Sequence, residues 1–136
     1  MILGAGGHAR VLADTALTTK QWDSVAFLDD QYPELSSMNG WPVIGRISEA
    51  ASYVEEYPEM ALGLGVEHDS LRLKLLVAIS QAGARFPAII HPAATVSALA
   101  TVREGSVVFA GSVININTRV GTACIINTHA SIDHDC

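Results

Sequence analysis

The chain contains little cysteine, few aromatic residues and no run of basic residues. Of its 136 residues two are Cys, and 6% are Phe, Trp or Tyr, whereas 49% are hydrophobic and the formal net charge is -6. An acidic chain without a basic stripe argues against nucleic-acid binding. The hydrophobic share predicts a folded core of aliphatic side chains rather than a disordered segment.

No apolar stretch approaches about 18 residues, so the sequence predicts no membrane-spanning helix. The first residues lack the charged and apolar regions of a signal peptide. Cys124 and Cys136 are predicted to be reduced core residues of a cytoplasmic protein. The histidines and cysteines show no tight ligand spacing, and no metal site is predicted.

The most informative pattern is a period of six in the last third of the chain. One column of this repeat is aliphatic: Ile90, Val96, Val102, Val108, Ile114, Val120, Ile126 and Ile132. A second column, four positions later, is small: Ala94, Ala100, Ser106, Ser112, Thr118, Cys124, Ala130 and Cys136. This period fits neither an α-helix nor an alternating strand. It is typical of a hexapeptide β-helix, in which each unit forms one face of a three-sided coil.

The region before the repeat alternates between short apolar strands and helical patterns. The predicted elements are strands at residues 25–28, 60–64 and 86–90, helices at 48–56 and from 69 or 70 to 83, and a loop at 31–40. This alternation predicts a parallel sheet flanked by helices. We therefore expect an α/β plus β chain, with a Rossmann-like βαβ domain over residues 1–88 and a left-handed parallel β-helix over residues 89–136.

A glycine-rich turn follows the first strand. The segment GAGGHA at residues 4–9 satisfies the G-x-G-x-x-A fingerprint of dinucleotide-binding turns. Glycine lets the backbone approach a phosphate, and the following helix directs its N-terminal amides at it. Asp29 and Asp30 end the next strand, near the spacing of a ribose-binding acid. The motif by itself leaves an NAD-binding oxidoreductase domain as an alternative.

Both ends of the chain are expected to be truncated. Only residues 1–3 precede the glycine turn, which is short for a buried strand, and the eight hexads end without a cap. The sequence therefore predicts a fragment of a longer protein. A non-catalytic nucleotide-binding module is a second alternative, favoured if this length is natural.

His134 is a candidate general base. It lies two positions after the stacked Ile132, near a coil corner, where a side chain can reach a cleft. Either neighbour, Asp133 or Asp135, could orient the imidazole and raise its basicity. Because neighbours in a regular strand point to opposite faces, Asp135 can pair with His134 only if the corner breaks that alternation.

Six features of the chain occur together in family order: GAGGH at residues 4–8, FLDD at 27–30, GLG at 63–65, IHP at 90–92, the hexads, and NTHASIDHDC at 127–136. In these features the chain resembles the sugar acyltransferases of the NeuD/PglD type, which acetylate sialic acid or UDP-4-amino-sugars. The non-catalytic alternative is then a sugar-nucleotide-binding module. The resemblance implies acetyl-CoA as co-substrate, and as acceptor an amine or hydroxyl of a sugar nucleotide or of sialic acid. It also implies a homotrimer with active sites between subunits.

The resemblance implies roles for individual residues as well. The substrate-binding residues of the first domain would be Gly6, Gly7 and His8 at the diphosphate and sugar, Asp29 and Asp30 at the uridine end, and Gly65 on the ligand-facing loop. In the repeat, Asn127 would contact the acceptor sugar, and Asp135 would orient His134. The CoA-binding coils are expected beyond Cys136.

Overall fold

The computed structural model describes residues 1–136 as an α/β region followed by a coil of short parallel strands. The first region contains β1 (Ile2–Leu3), α1 (Gly7–Thr18), β2 (Phe27–Leu28), β3 (Ser37–Met38), β4 (Trp41–Gly45), β5 (Ala61–Leu62) and α2 (Asp69–Gln81), with 3-10 helices at Ile47–Tyr53 and Val66–His68. The coil contains β6 (Ile89–Ile90), β7 (Thr95–Val96), β8 (Thr101–Val102), β9 (Val107–Val108), β10 (Val113–Ile114), β11 (Arg119–Val120), β12 (Ile125–Ile126) and β13 (Ser131–Ile132). Neither α-helix is long and apolar enough to cross a membrane.

The first region is built on a five-stranded sheet in the order β3-β4-β2-β1-β5. The strands β1, β2, β4 and β5 are parallel, and α1 packs on them through buried residues that include Ala9, Leu12 and Ala16. The prediction of a mixed α/β chain with a parallel sheet is confirmed. The helix and sheet share one apolar cluster with Ile89, Val107 and Phe109 of the coil, so the two regions are packed together.

Three predicted elements differ in the structure. The predicted loop at 31–40 contains β3, an antiparallel hairpin strand, because Asn39 and Gly40 both adopt positive φ (52° and 85°) in a two-residue turn. The helix predicted at 48–56 is a 3-10 helix, Ile47–Tyr53, whose start is fixed by the Glu49 carboxylate 2.6 Å from the Arg46 amide. The strand predicted at 86–90 is shortened to β6, which pairs with β9 of the coil rather than with the sheet.

The coil places each residue beside the residue 18 positions earlier. Its strands form three parallel sheets, β6-β9-β12, β7-β10-β13 and β8-β11, with pairings such as Ile90 with Val108 and Val108 with Ile126. Val108, Ile114 and Val120 of the aliphatic column are buried at the centre. This register is consistent with the β-helix expected from the period of six.

The coil corners use the left-handed backbone region at regular intervals. Every sixth residue from 105 to 135 has positive φ, between 57° and 72°: Gly105, Gly111, Asn117, Ala123, His129 and Asp135. Only glycine adopts this region freely, and Asn or Asp adopts it at modest cost. The corner that carries Gly105 lies against α2, because a Cβ on Gly105 would sit 2.4 Å from the Cδ1 of Leu76.

We expect Gly105→Ala to be strongly destabilising, because the new Cβ would clash with the Cδ1 of Leu76, which is itself buried and must repack. The matched control is Gly40→Ala, which also has positive φ but meets nothing within 4 Å. The control should cost about 1 kcal/mol of unfolding free energy through backbone strain alone, and Gly105→Ala roughly 2–4 kcal/mol. Urea unfolding monitored by circular dichroism measures both, and equal losses would contradict close packing of α2 on the coil.

Candidate functional site

A polar cavity of about 190 Å³ lies where β1, β2 and β5 end. It is lined by Gly4, Ala5, Gly6, Gly7, His8, Asp29, Gly63, Leu64, Gly65, Glu67 and His68. The carboxyl ends of parallel strands are where such sheets bind ligands. Five of the six residues predicted for the first domain therefore meet at one cavity. The sixth, Asp30, does not line it, because its carboxylate accepts from the Ile47 amide (3.3 Å) and its carbonyl from Arg46 (2.9 Å).

The glycine turn is held by the first aspartate of the pair. One oxygen of Asp29 accepts from the Ala5 amide at 2.8 Å, and the other accepts from the Gln31 amide at 2.9 Å. Each oxygen keeps a second lone pair that a ligand hydroxyl could use. Gly63 closes the turn from the other side, since a Cβ there would lie 2.7 Å from the Gly4 carbonyl oxygen. The backbone of Gly4 is therefore closely packed against Gly63.

His8 presents an unpaired polar atom at this cavity. Its Nε2 is buried and has no hydrogen-bond partner, and its ring meets Phe109 of the coil edge-on at a centroid distance of 5.5 Å. Burial, and next the charge of Arg72, lower the pKa of His8 below its usual value. Buried polar atoms are nearly always satisfied, so either a ligand or the nearby Leu62 backbone is expected to provide a partner for the ring.

The cavity contains no lysine or arginine, and backbone groups supply its positive potential. The first turn of α1 begins at Gly7, carries no acidic residue and has no side-chain cap on its amides. Such a helix N-terminus binds phosphate through its free N–H groups and the helix dipole. The cavity can thus accept a diphosphate in spite of the net negative charge of the chain.

Arg72 is a buried cation behind this cavity that the sequence analysis missed. It is 1% exposed, and its guanidinium donates to the carbonyls of Leu62 (3.1 Å), Leu64 and Ala123 (2.9 Å). It therefore ties the end of β5 and the ligand-facing loop to a corner of the coil. The buried residues of α2 are Arg72, Leu76 and Ile79. Because the apolar residues of this helix are spread around it, the sequence pattern does not indicate which face is buried.

Replacing Arg72 by Met should destabilise the protein by at least about 2 kcal/mol, because buried carbonyl groups lose their donor. Arg103→Met, at an exposed position of the coil, is the matched control and should change the unfolding free energy by less than about 0.5 kcal/mol. Thermal and urea unfolding measure the difference. Similar stability of the two variants would show that the three carbonyls do not depend on Arg72.

The lowered pKa of His8 predicts a pH-dependent stability. Between the folded-state pKa and the ordinary value of about 6.5, the unfolded chain binds more protons than the folded protein. The free energy of unfolding therefore rises with pH through that window. The contribution of neutral His8 is fully present above the window and is lost as the pH falls through it to the folded-state pKa. Urea unfolding from about pH 7.5 to about pH 5 should show a smaller loss in His8→Asn than in the wild type. Parallel pH profiles would contradict this assignment.

On the coil, the structure pairs His134 with Asp135. The Nδ1 atom of His134 lies 2.7 Å from the Oδ2 atom of Asp135, and both side chains are exposed. Asp135 has a φ of 59°, so the corner breaks the strand alternation as the pairing requires. Asp133 instead contributes its carbonyl, which accepts from the Thr118 hydroxyl at 2.8 Å.

Asn127 lies on a different face of the coil from His134. Its neighbour Ile126 pairs with Val108, which places Asn127 one coil beyond Phe109, the residue that contacts His8. Asn127 is exposed, and its side chain makes no hydrogen bond. It therefore lies on the face that adjoins the glycine cavity. His134 lies at the corner of Asp135, the second corner after Asn127 along the chain.

The cysteines are less buried than predicted. Cys124 is half-buried, and Cys136, the last residue of the sequence, is exposed, so neither is fully buried in the core. No group of three or more His, Cys, Asp or Glu side chains is arranged to hold a metal ion.

The chain is similar to several acetyltransferases. UDP-N-acetylbacillosamine N-acetyltransferase of Bacillus subtilis is 31% identical over 109 residues, which are 80% of this chain and 50% of the relative. The acetyltransferase domain of PglB from Neisseria gonorrhoeae, solved with acetyl coenzyme A, superposes with a TM-score of 0.89 at 34% identity, over 99% of this chain and 64% of that one. PerB from Caulobacter crescentus, solved with CoA and GDP-perosamine, has a TM-score of 0.88 at 31% identity, over 99% and 62%.

The family is shown by the first region of the chain. The PglD N-terminal domain family matches residues 1–79, which include both the glycine turn and the ligand-facing loop. The chain therefore belongs to the sugar acetyltransferase family of the PglD type. It spans about half the length of the curated relative and less than two thirds of the solved ones.

Proposed function

We propose that the protein transfers an acetyl group from acetyl-CoA to an amine of a nucleotide-linked sugar, with a sugar hydroxyl or sialic acid as the alternative acceptor. This chemistry belongs to the synthesis of surface glycans of the bacterial type. The observation that carries the proposal is the His134–Asp135 pair, with its 2.7 Å contact, on a coil packed against a glycine-turn cavity. The solved relatives bind CoA, and one of them also GDP-perosamine, on the same fold.

In the proposed reaction His134 is the general base. Because Nδ1 faces Asp135, the Nε2 atom is free to accept a proton from the acceptor nitrogen. As that N–H breaks, the nitrogen attacks the thioester carbon, and a backbone N–H holds the oxyanion of the tetrahedral intermediate. Collapse breaks the C–S bond, and the imidazolium returns the proton to the leaving thiolate. Asp135 stabilises the imidazolium, and no covalent enzyme intermediate forms.

The glycine cavity is the proposed site of the sugar nucleotide. We describe the first region as a Rossmann-like domain and the coil as a left-handed β-helix, with the boundary at about residue 88. The amides of Gly6 and Gly7 would hold the diphosphate, and His8 would donate to it or accept from the sugar. Asp29 and Gly65 line the same cavity, and Asn127 would contact the acceptor sugar. Asp30, which lies outside the cavity wall, would act on the uridine end only through the turn that it stabilises.

We further propose that the active site forms between subunits of a homotrimer. The glycine cavity adjoins the β6-β9-β12 face through His8 and Phe109, and α2 covers the corner at Gly105. His134 lies at the corner between the other two sheets, opposite that face. Because the base and the cavity lie on different sides of the coil, we propose that His134 of one subunit serves the sugar nucleotide bound to a neighbouring copy. The unpaired thiols fit a reducing compartment, and we place the protein in the cytoplasm.

The test is acetyl transfer by the whole protein from acetyl-CoA to a panel of UDP- and GDP-linked 4-amino-sugars, with sialic acids as hydroxyl acceptors. We expect turnover of at least one amino-sugar, and a loss of kcat of roughly 10²–10⁴-fold in His134→Asn, because the proton acceptor is gone. The matched control is His129→Asn, at the neighbouring left-handed corner with a φ of 59°. It should keep near wild-type kcat.

Three results would contradict the proposal in different ways. Full activity in His134→Asn would remove His134 as the base. Binding of a sugar nucleotide without any acetyl transfer would favour the non-catalytic binding module. A thermal shift with NAD, and none with the UDP- or GDP-sugars, would favour the oxidoreductase alternative.

A further inference from the structure

A third side chain is attached to the His134–Asp135 pair. The side-chain amide of Asn117 donates to the Oδ1 atom of Asp135 at 2.9 Å, while the Oδ2 atom of Asp135 lies 2.7 Å from His134 Nδ1. The two carboxylate oxygens are thus held from opposite sides. This donor comes from the preceding coil, 18 residues earlier, and nothing in the local sequence around His134 indicates it.

The backbone at this corner does not by itself require an asparagine. Asn117 has a φ of 61°, and the equivalent corner positions Gly105 and Gly111 have φ values of 69° and 72°. Glycine would satisfy the same geometry with less strain. What asparagine adds is an amide donor placed directly beside Asp135, which shares its left-handed conformation at 59°.

An exposed carboxylate needs such a second contact to act as an orienting group. Asp135 is solvent-exposed, and a single hydrogen bond to a mobile imidazole leaves its side chain free to rotate. The Asn117 bond, and next the His134 bond, lower the pKa of Asp135 below its usual value and keep it ionised. The other ionisable groups around the pair are Asp133 beside it and Arg119 and Cys136, which share a cavity wall with Asp135.

We propose that Asn117 is a positioning residue for the catalytic pair, holding the Asp135 carboxylate so that its other oxygen faces His134. This inference rests on the proposed function, in which His134 is the base. Asn117 touches neither substrate; it acts by limiting the rotation of Asp135, and so fixes the ring orientation and the charge beside it.

The decisive variant is Asn117→Gly in the whole protein, because glycine keeps the left-handed corner and removes only the amide donor. We expect kcat to fall roughly 10-fold, as for loss of one hydrogen bond to a charged group. KM for both substrates and the melting temperature should stay near wild-type values. The acidic limb of the pH–rate profile should move to lower pH, since an Asp135 carboxylate that is free to rotate stabilises the protonated imidazole less. Asn117→Asp should lower kcat further, because the carboxylates at positions 117 and 135 would repel each other.

The matched control is Asn39→Gly, an exposed asparagine with a φ of 52° in the hairpin turn of the other region. It should leave kcat, the pH–rate profile and stability unchanged. A second readout, independent of turnover, is the ¹⁵N chemical shift of the His134 ring in histidine-labelled protein. The shift should change in Asn117→Gly and not in the control.

Two results separate the inference from the proposed function. An unchanged pH–rate profile and unchanged ring shifts in Asn117→Gly, with activity still lost in His134→Asn, would overturn the role of Asn117 and leave the function standing. If His134→Asn is fully active, the base assignment fails. In that case the ¹⁵N shifts of the His134 ring still test whether Asn117 orients the pair. Unchanged shifts in Asn117→Gly would then overturn the positioning role as well.

Discussion

The stacking of each coil on the one 18 residues before it is the constraint on which most of this structure depends. It aligns the aliphatic column at the centre, and it sets Asn127 beyond Phe109 and Asp135 beyond Asn117. Because a stacked parallel coil leaves no freedom in register, side chains at equivalent corners must meet. The orientation of the His134–Asp135 pair is therefore a consequence of the same geometry that forms the core.

A second constraint joins the two regions. Arg72 spans from the end of β5 and the ligand-facing loop to Ala123 of the coil, and it is the one fully buried charge of the chain. A buried guanidinium that bonds only carbonyl groups keeps its net charge, and that charge contributes to the lowered pKa of His8. In a chain with a net charge of -6, this cation and the first turn of α1 offset the negative charge around the glycine-turn cavity.

Most of the fold could be predicted because its signals are local or periodic. The glycine turn, the apolar strands and the period of six each depend on neighbouring residues, and the cavity position follows from the rule that ligands bind at strand ends. The hairpin at Asn39–Gly40 was also readable in the sequence, since that dipeptide is the usual signal for a two-residue turn. The strand β6 was misassigned because its partner, β9, is distant in sequence.

The sequence by itself determined the class of fold, the family and the residues of the glycine turn, since these follow from patterns within a few residues of one another. Only the tertiary structure decided which side chains meet: Asp29 with the Ala5 amide, Arg72 with Ala123, and Asn117 with Asp135. Each of these contacts joins residues between 18 and 51 positions apart. Their partners are fixed by the packing of the sheet and coil in space, which no local propensity encodes.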